Sequence, residues 1–140
     1  MEIVRSRPQT TTAPPEWFTG RVFIDPIAPA DGESRLRAYR VHFTPGARTA
    51  WHTHPHGQVL HVTDGVGLVQ SRGDSVQLIR TGDTVRIAPD EDHWHGAAPS
   101  NFMTHLALHE AGEDGVDAVW GDQVSDGEYN EAPAGDGPSG

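Results

Sequence analysis

The chain contains no cysteine, and that single absence removes thiol nucleophiles, thiolate metal ligands and disulfides, leaving burial or a metal ion to hold the fold. Lysine is missing as well. All ten basic residues are Arg, which excludes Schiff-base chemistry and a lysine general base. No apolar run approaches the roughly 20 residues of a membrane span, and the opening MEIVRSRPQT lacks the apolar stretch of a signal peptide. The expectation is a cytoplasmic protein with no membrane contact. Positive charge is scarce: 20 acidic against 10 basic side chains give a formal charge of −10, the wrong sign for a phosphate backbone. Nucleic acid is therefore excluded as a partner, and a small-molecule substrate is expected.

At 140 residues the chain suffices for one domain with its own core. Its 16 Gly, 11 Pro and 35% hydrophobic residues point to a turn-rich, all-β fold. Residues 1–20 read as an N-terminal arm, since Pro8, Pro14, Pro15 and three successive Thr cannot form a helix. Arg21 to Ile27 reads as a strand ended by Pro26. Leu36 to Thr44 has period two, with Arg37, Tyr39, Val41 and Phe43 on one face and Ala38, Arg40, His42 and Thr44 on the other. Further strand-like runs are Ala50 to His54, Gln58 to Thr63, Gly67 to Ser71, Val76 to Arg80, Thr84 to Ile87 and Met103 to His109. Turn residues separate them, including Pro45-Gly46, Asp64-Gly65, Thr81-Gly82-Asp83 and Pro89-Asp90. This cadence indicates a sandwich or barrel over residues 21–120. Residues 121–140 form a C-terminal segment with a short helix around Ser125 to Tyr129 and a flexible tail, disordered after about residue 130.

Nine His are many for this length, and their placement carries the functional reading. In WHTHP, His52 and His54 are two apart on one strand, so both imidazoles project from the same face, about 7 Å apart. After the Pro55-His56-Gly57 turn the chain can bring Gln58 beside them, offering a neutral carbonyl oxygen, with Leu60 and Val62 on the same interior face. His93 and His95 share a parity next to Trp94, and either can supply a fourth metal ligand. Gly46, His52, His54, Gln58 and Gly65 stand at the spacing of the first cupin motif, except that Gln58 replaces its Glu. The second motif is met only in part. Gly82 and His93 have the right separation, but its Pro is displaced to Pro89, its Gly is absent and its Asn position is Ala97. His95 therefore remains a rival to His93.

With these motifs the chain resembles a small single-domain cupin, and more narrowly the bacterial cupin-type hydroxynitrile lyases. EWFTG (Glu16 to Gly20), PGARTAWHTHPHGQ (Pro45 to Gln58), HWHGAAP (His93 to Pro99) and MTHLALHE (Met103 to Glu110) carry the likeness, which runs over roughly the first 120 residues. The resemblance implies a double-stranded β-helix, or jelly-roll barrel, whose interior is the substrate pocket. It implies one divalent ion per chain on His52, His54, Gln58 and His93: manganese first, iron next, with zinc or nickel as further options. It also places a functional His at position 105.

Three imidazoles and an amide oxygen leave the ion its full charge, which makes it a Lewis acid suited to C–C cleavage next to an oxygen. Gln58 in place of Glu keeps a negative charge out of the site and favours anionic substrates or cyanide. An unperturbed imidazole titrates near pH 6.5, so His105 could take a proton from a bound hydroxyl; the other reading is a hydrogen-bonded core His. By parity Tyr39, Val41, Thr49, Leu60, His95, Met103 and His109 are expected to line the pocket. Tyr39 and His109 are larger than bulky aromatic substrates would suggest. His42, His56 and His61 read as surface or interface positions, and Trp17, Trp51 and Trp94 as packing or subunit contacts. Arg48 either binds a substrate anion or pairs with an acidic neighbour. The readings are a metal-dependent lyase, cyanohydrin to aldehyde plus cyanide; a metal-dependent dioxygenase; or a small-molecule binding or sensing module. A homodimer or homotetramer is expected, with the Pro-rich arm crossing onto a neighbour.

Overall fold

Short runs of β-branched and aromatic residues, broken by Gly and Pro, fold as strands throughout the computed structural model, which describes residues 1–30 and 32–133. The strands are β1 (Thr11–Thr12), β2 (Phe18–Thr19), β3 (Val22–Ala28), β4 (Leu36–Phe43), β5 (Arg48–Thr49), β6 (His52–Thr53) and β7 (Gln58–Ser71). They continue with β8 (Gln77–Arg80), β9 (Thr84–Ile87), β10 (His93–Ala97), β11 (Met103–Glu110) and β12 (Val119–Trp120), followed by the single helical turn α1 (Asp126–Tyr129). The pairing order is β1-β3-β4-β11-β7-β10-β5-β2; β8 and β9 add to β7, and β6 joins β10 to β12. Every pair is antiparallel.

β7 is the hinge of this architecture. Its first half pairs with β11 and β9 in one wall, and its second half with β10 and β8 in the other. The expected turn at Asp64-Gly65 is instead a corner within one 14-residue strand. Leu60 and Val62 face the main core, and beyond the corner Val69 does so while Leu68 faces the opposite cluster, so the parity changes there. Gly65 permits this with φ +84°, and a Cβ at that position would collide with the Phe102 carbonyl. Pro26 likewise fails to end its strand. β3 runs on to Ala28 with a register irregularity after Pro26, whose missing N–H is harmless because β1 has already ended on that edge.

The main core joins Val41, Phe43, Leu60, Val62, Met103 and Ala107 between the walls. A second cluster, Trp51, Leu68, Val76, Trp94, Val124 and Tyr129, packs the C-terminal segment onto the outside of the β10 wall. Ser125 caps α1 through a reciprocal capping box with Glu128. Arg48 donates to the Val124 carbonyl and to Asp126 and lies over the Tyr129 ring, so the acidic-neighbour reading of Arg48 holds. Residues 121–130 are thus part of the packed domain, and the tail expected to be disordered lies from residue 134 onward outside the described residues. The N-terminal segment lies against the barrel in part. β1 adds to the edge of one wall and β2 to the edge of the other, so residues 11–19 bridge the two.

Gly65→Ala is expected to lower the unfolding free energy by more than about 2 kcal/mol, and Gly73→Ala, at φ +91° in open space, by about 1 kcal/mol. Urea denaturation measures both. Equal losses would mean that conformational freedom alone, and not close approach to Phe102, is what Gly65 supplies.

Candidate metal centre

Antiparallel pairing places the imidazoles. His93 on β10 lies opposite His52 on β6, and their ring centroids are 4.3 Å apart. His54 follows directly, 5.0 Å from His52 and 5.7 Å from His93 by centroid. From the other wall β7 brings Gln58, whose Oε1 is 3.3 Å from His93 Nε2. His95 enters the same cluster: one ring nitrogen each of His52, His93 and His95 lie within 4.8 Å of one another. The structure therefore brings together all four expected ligands and the rival His95. Asp90, where the second motif has Gly, adopts φ 60°, so the left-handed turn ahead of His93 persists, and its N–H donates to the His54 carbonyl.

Three backbone carbonyls fix the ring tautomers. His52 Nδ1 faces Ala50 O at 2.9 Å, His54 Nδ1 faces Asp117 O at 2.7 Å and His93 Nδ1 faces Glu91 O at 2.9 Å. A carbonyl only accepts, so each Nδ1 carries the hydrogen and each neutral ring presents an Nε2 lone pair. Burial keeps the rings neutral: it pushes His52 and His95 well below the usual imidazole range, lowers His93, and brings His54 and His105 down to about 4.

Among the described residues, the buried side-chain polar atoms lacking a partner are Arg48 Nε, His54 Nε2, His95 Nε2 and His105 Nδ1. Orphaned donors or acceptors in a core are costly, and three of these belong to one imidazole cluster. His105 Nε2 is 2.9 Å from His95 Nδ1, and the Phe43 ring lies 5.3 Å from His105 as an apolar floor.

Beside the cluster is a cavity of about 450 Å³. Tyr39, Val41, Thr49, His95 and His109 line it as expected, together with His52, His54, Gln58 and His105. Leu60 and Met103 do not. Both are fully buried between the walls, because strand parity fixes which face a side chain takes and not how far along the barrel the cavity reaches. Trp51 and Trp94 are packing residues, whereas Trp17, partly exposed, lines the cavity, stacked on Trp120 at 5.0 Å. Trp120 in turn stacks on His52 at 4.5 Å. Trp120 and Asp117 escaped the sequence reading. The one available signal was an isolated Trp in an acidic, Gly-rich stretch; nothing marked Asp117 among twenty acidic residues.

The cupin domain matches residues 39–106. The (R)-mandelonitrile lyase of Granulicella tundricola is 48% identical over 130 residues, spanning 92% of this chain and 98% of that protein. The chain belongs to the cupin family. A solved cupin-like protein from Thermotoga maritima, 35% identical, superimposes with a TM-score of 0.83 over 96% of this cupin and all of that chain. A predicted oxalate decarboxylase from the same organism, 18% identical, shares the fold with a TM-score of 0.67 over 77% of this cupin and 96% of that chain.

The donor set of this cupin fits a divalent ion. Neutral Nε2 lone pairs converge from rings whose other nitrogen is tied to a carbonyl, the outer-shell arrangement typical of histidine ligands, and at least one of the orphaned atoms gains a partner from a cation. Elemental analysis of the purified protein is expected to find about one metal ion per chain, lost in His52→Ala. A metal-free wild type would turn the cluster into packing.

Metal-free protein should also show a specific acid sensitivity. His54 and His105 titrate near 4 when folded and near 6.5 when unfolded, so between those values the unfolded chain binds more protons. Their contribution is complete above about pH 6.5 and is lost as pH falls toward 4. Urea midpoints across this window are expected to drop with pH; a flat profile would mean that the folded rings already carry charge.

Proposed function

We propose that this cupin is a metal-dependent hydroxynitrile lyase that cleaves a cyanohydrin to an aldehyde and cyanide. The observation that carries the reading is the buried imidazole cluster beside a cavity, in a chain nearly half identical along its length to a mandelonitrile lyase. His52, His54, Gln58 and His93 would hold the ion, manganese being the first choice and iron the second. Such an ion supplies Lewis acidity toward a hydroxyl or carbonyl oxygen.

The remaining chemistry belongs to the chain. His105, neutral and in the cavity wall, accepts the hydroxyl proton of the cyanohydrin; the O–H electrons form the carbonyl, the C–C bond breaks, and the pair leaves with cyanide, which takes the proton. This role bears on His95. Were His95 Nε2 a ligand, its Nδ1–H would donate to His105 Nε2, leaving His105 its hydrogen on Nδ1 and no lone pair for the substrate. A base at His105 therefore goes with a ligand set that excludes His95, whose hydrogen then sits on Nε2. Trp17, Phe18, Tyr39 and Trp120 give the cavity flat apolar walls suited to an aryl group. On the outer face, exposed Leu36 and Leu108 support pairing of two copies into a homodimer.

Metal-loaded protein is expected to release benzaldehyde and cyanide from mandelonitrile. His105→Gln is expected to lower kcat by a factor of about 100 or more while metal content is unchanged. Oxygen consumption without cyanide release would instead support the dioxygenase reading, to which the three clustered imidazoles also lend themselves.

A further inference from the structure

His109 and Asp117 stand behind Gln58, outside the ligand set. Gln58 Nε2 is 3.4 Å from His109 Nδ1, and His109 Nε2 is 3.2 Å from Asp117 Oδ2. Arg37 Nε, on a largely buried side chain, lies 3.9 Å from the same carboxylate oxygen. The His109 ring also packs on two other rings, with its centroid 6.1 Å from Tyr39 and 4.5 Å from His54.

The hydrogens along this chain can be counted. A carboxylate only accepts, so His109 carries a hydrogen on Nε2 and donates it to Asp117; with one hydrogen on the ring, Nδ1 can then only accept. The group facing it must donate, which assigns the Gln58 amide nitrogen to that side. The Gln58 oxygen is thereby turned toward His93 Nε2, itself a lone pair because Nδ1 donates to the Glu91 carbonyl. Every link from Asp117 to Glu91 then holds a hydrogen except the one between Gln58 Oε1 and His93 Nε2. Two lone pairs facing each other at 3.3 Å are repulsive in an empty site and favourable around a cation.

We propose that His109 and Asp117 are a positioning pair that locks the Gln58 carboxamide with its oxygen toward the metal centre. The pair also accounts for Gln at position 58, since a carboxylate there would leave His109 Nδ1 without a donor. Asp117 acts on the centre twice, through its carboxylate on Gln58 and through its main-chain carbonyl on His54. The proposal rests on the metal-site reading above for its consequence, and on the hydrogen count alone for the orientation.

Two measurements on the full chain test it. In metal-free protein, long-range ¹H–¹⁵N correlation of His109 is expected to show the Nε2–H tautomer; an Nδ1–H or doubly protonated ring overturns the assignment. Mn²⁺ titration is then compared among variants whose metal-free melting confirms folding. His109→Leu and Asp117→Ala are expected to weaken Mn²⁺ binding by about 10- to 100-fold. His109→Gln, whose amide can accept from Gln58 and donate to Asp117, is expected to stay near wild type. Equal affinity in His109→Leu and wild type, or equal loss in His109→Leu and His109→Gln, refutes the pair. If wild type binds no Mn²⁺ while His109 shows the Nε2–H tautomer, the metal reading fails and the orientation stands.

Discussion

Everything at the centre depends on three Nδ1–H···O=C hydrogen bonds, from His52, His54 and His93 to the carbonyls of Ala50, Asp117 and Glu91. An imidazole free to rotate or exchange tautomers is a mediocre ligand. One anchored at Nδ1 presents a single lone pair in a fixed direction. Two of the three acceptors lie two residues upstream on the same strand or its approach, so they form whenever the local backbone forms. The third reaches across from the loop between β11 and β12, which makes His54 conditional on tertiary structure in a way that His52 and His93 are not.

Much of this could be read from residue order because the period of a strand is two. The parity of Leu36–Phe43, the pairing of His52 with His54 and of His93 with His95, and the placement of Gln58 with Leu60 and Val62 all follow from alternation. Alternation fails where a strand changes walls. At Asp64-Gly65 the sequence shows good turn residues, and only the close approach of Phe102 decides that the chain bends without reversing. It is equally silent on depth, so Leu60 and Met103 passed for pocket residues. Contacts between remote segments, such as Asp117 with His54 or Trp120 with His52, have no local signature, being set by how the C-terminal segment closes over the barrel.

That closure is achieved without disulfides. The segment after β12 is held by apolar packing of Val124 and Tyr129 and by the buried Arg48 guanidinium, which bonds the Val124 carbonyl and Asp126 and stacks on Tyr129. The Tyr129 hydroxyl donates to the Ala97 carbonyl, returning the segment to the wall that carries His93 and His95. A charged side chain buried beneath the C-terminal segment thus stabilises the wall whose inner face holds the ligands.

The stacked Trp17 and Trp120 come from segments on either side of the main barrel strands in the sequence, and Gln123 ties the two segments by donating to the Pro15 and Glu16 carbonyls. One side of the cavity lining is therefore built from segments that flank the barrel, and the imidazole cluster from the barrel itself. Changes at Trp17, which reaches the ligand His52 only through Trp120, can reshape the lining at one remove from the metal centre, which lets such a scaffold diversify its clientele from its flanks.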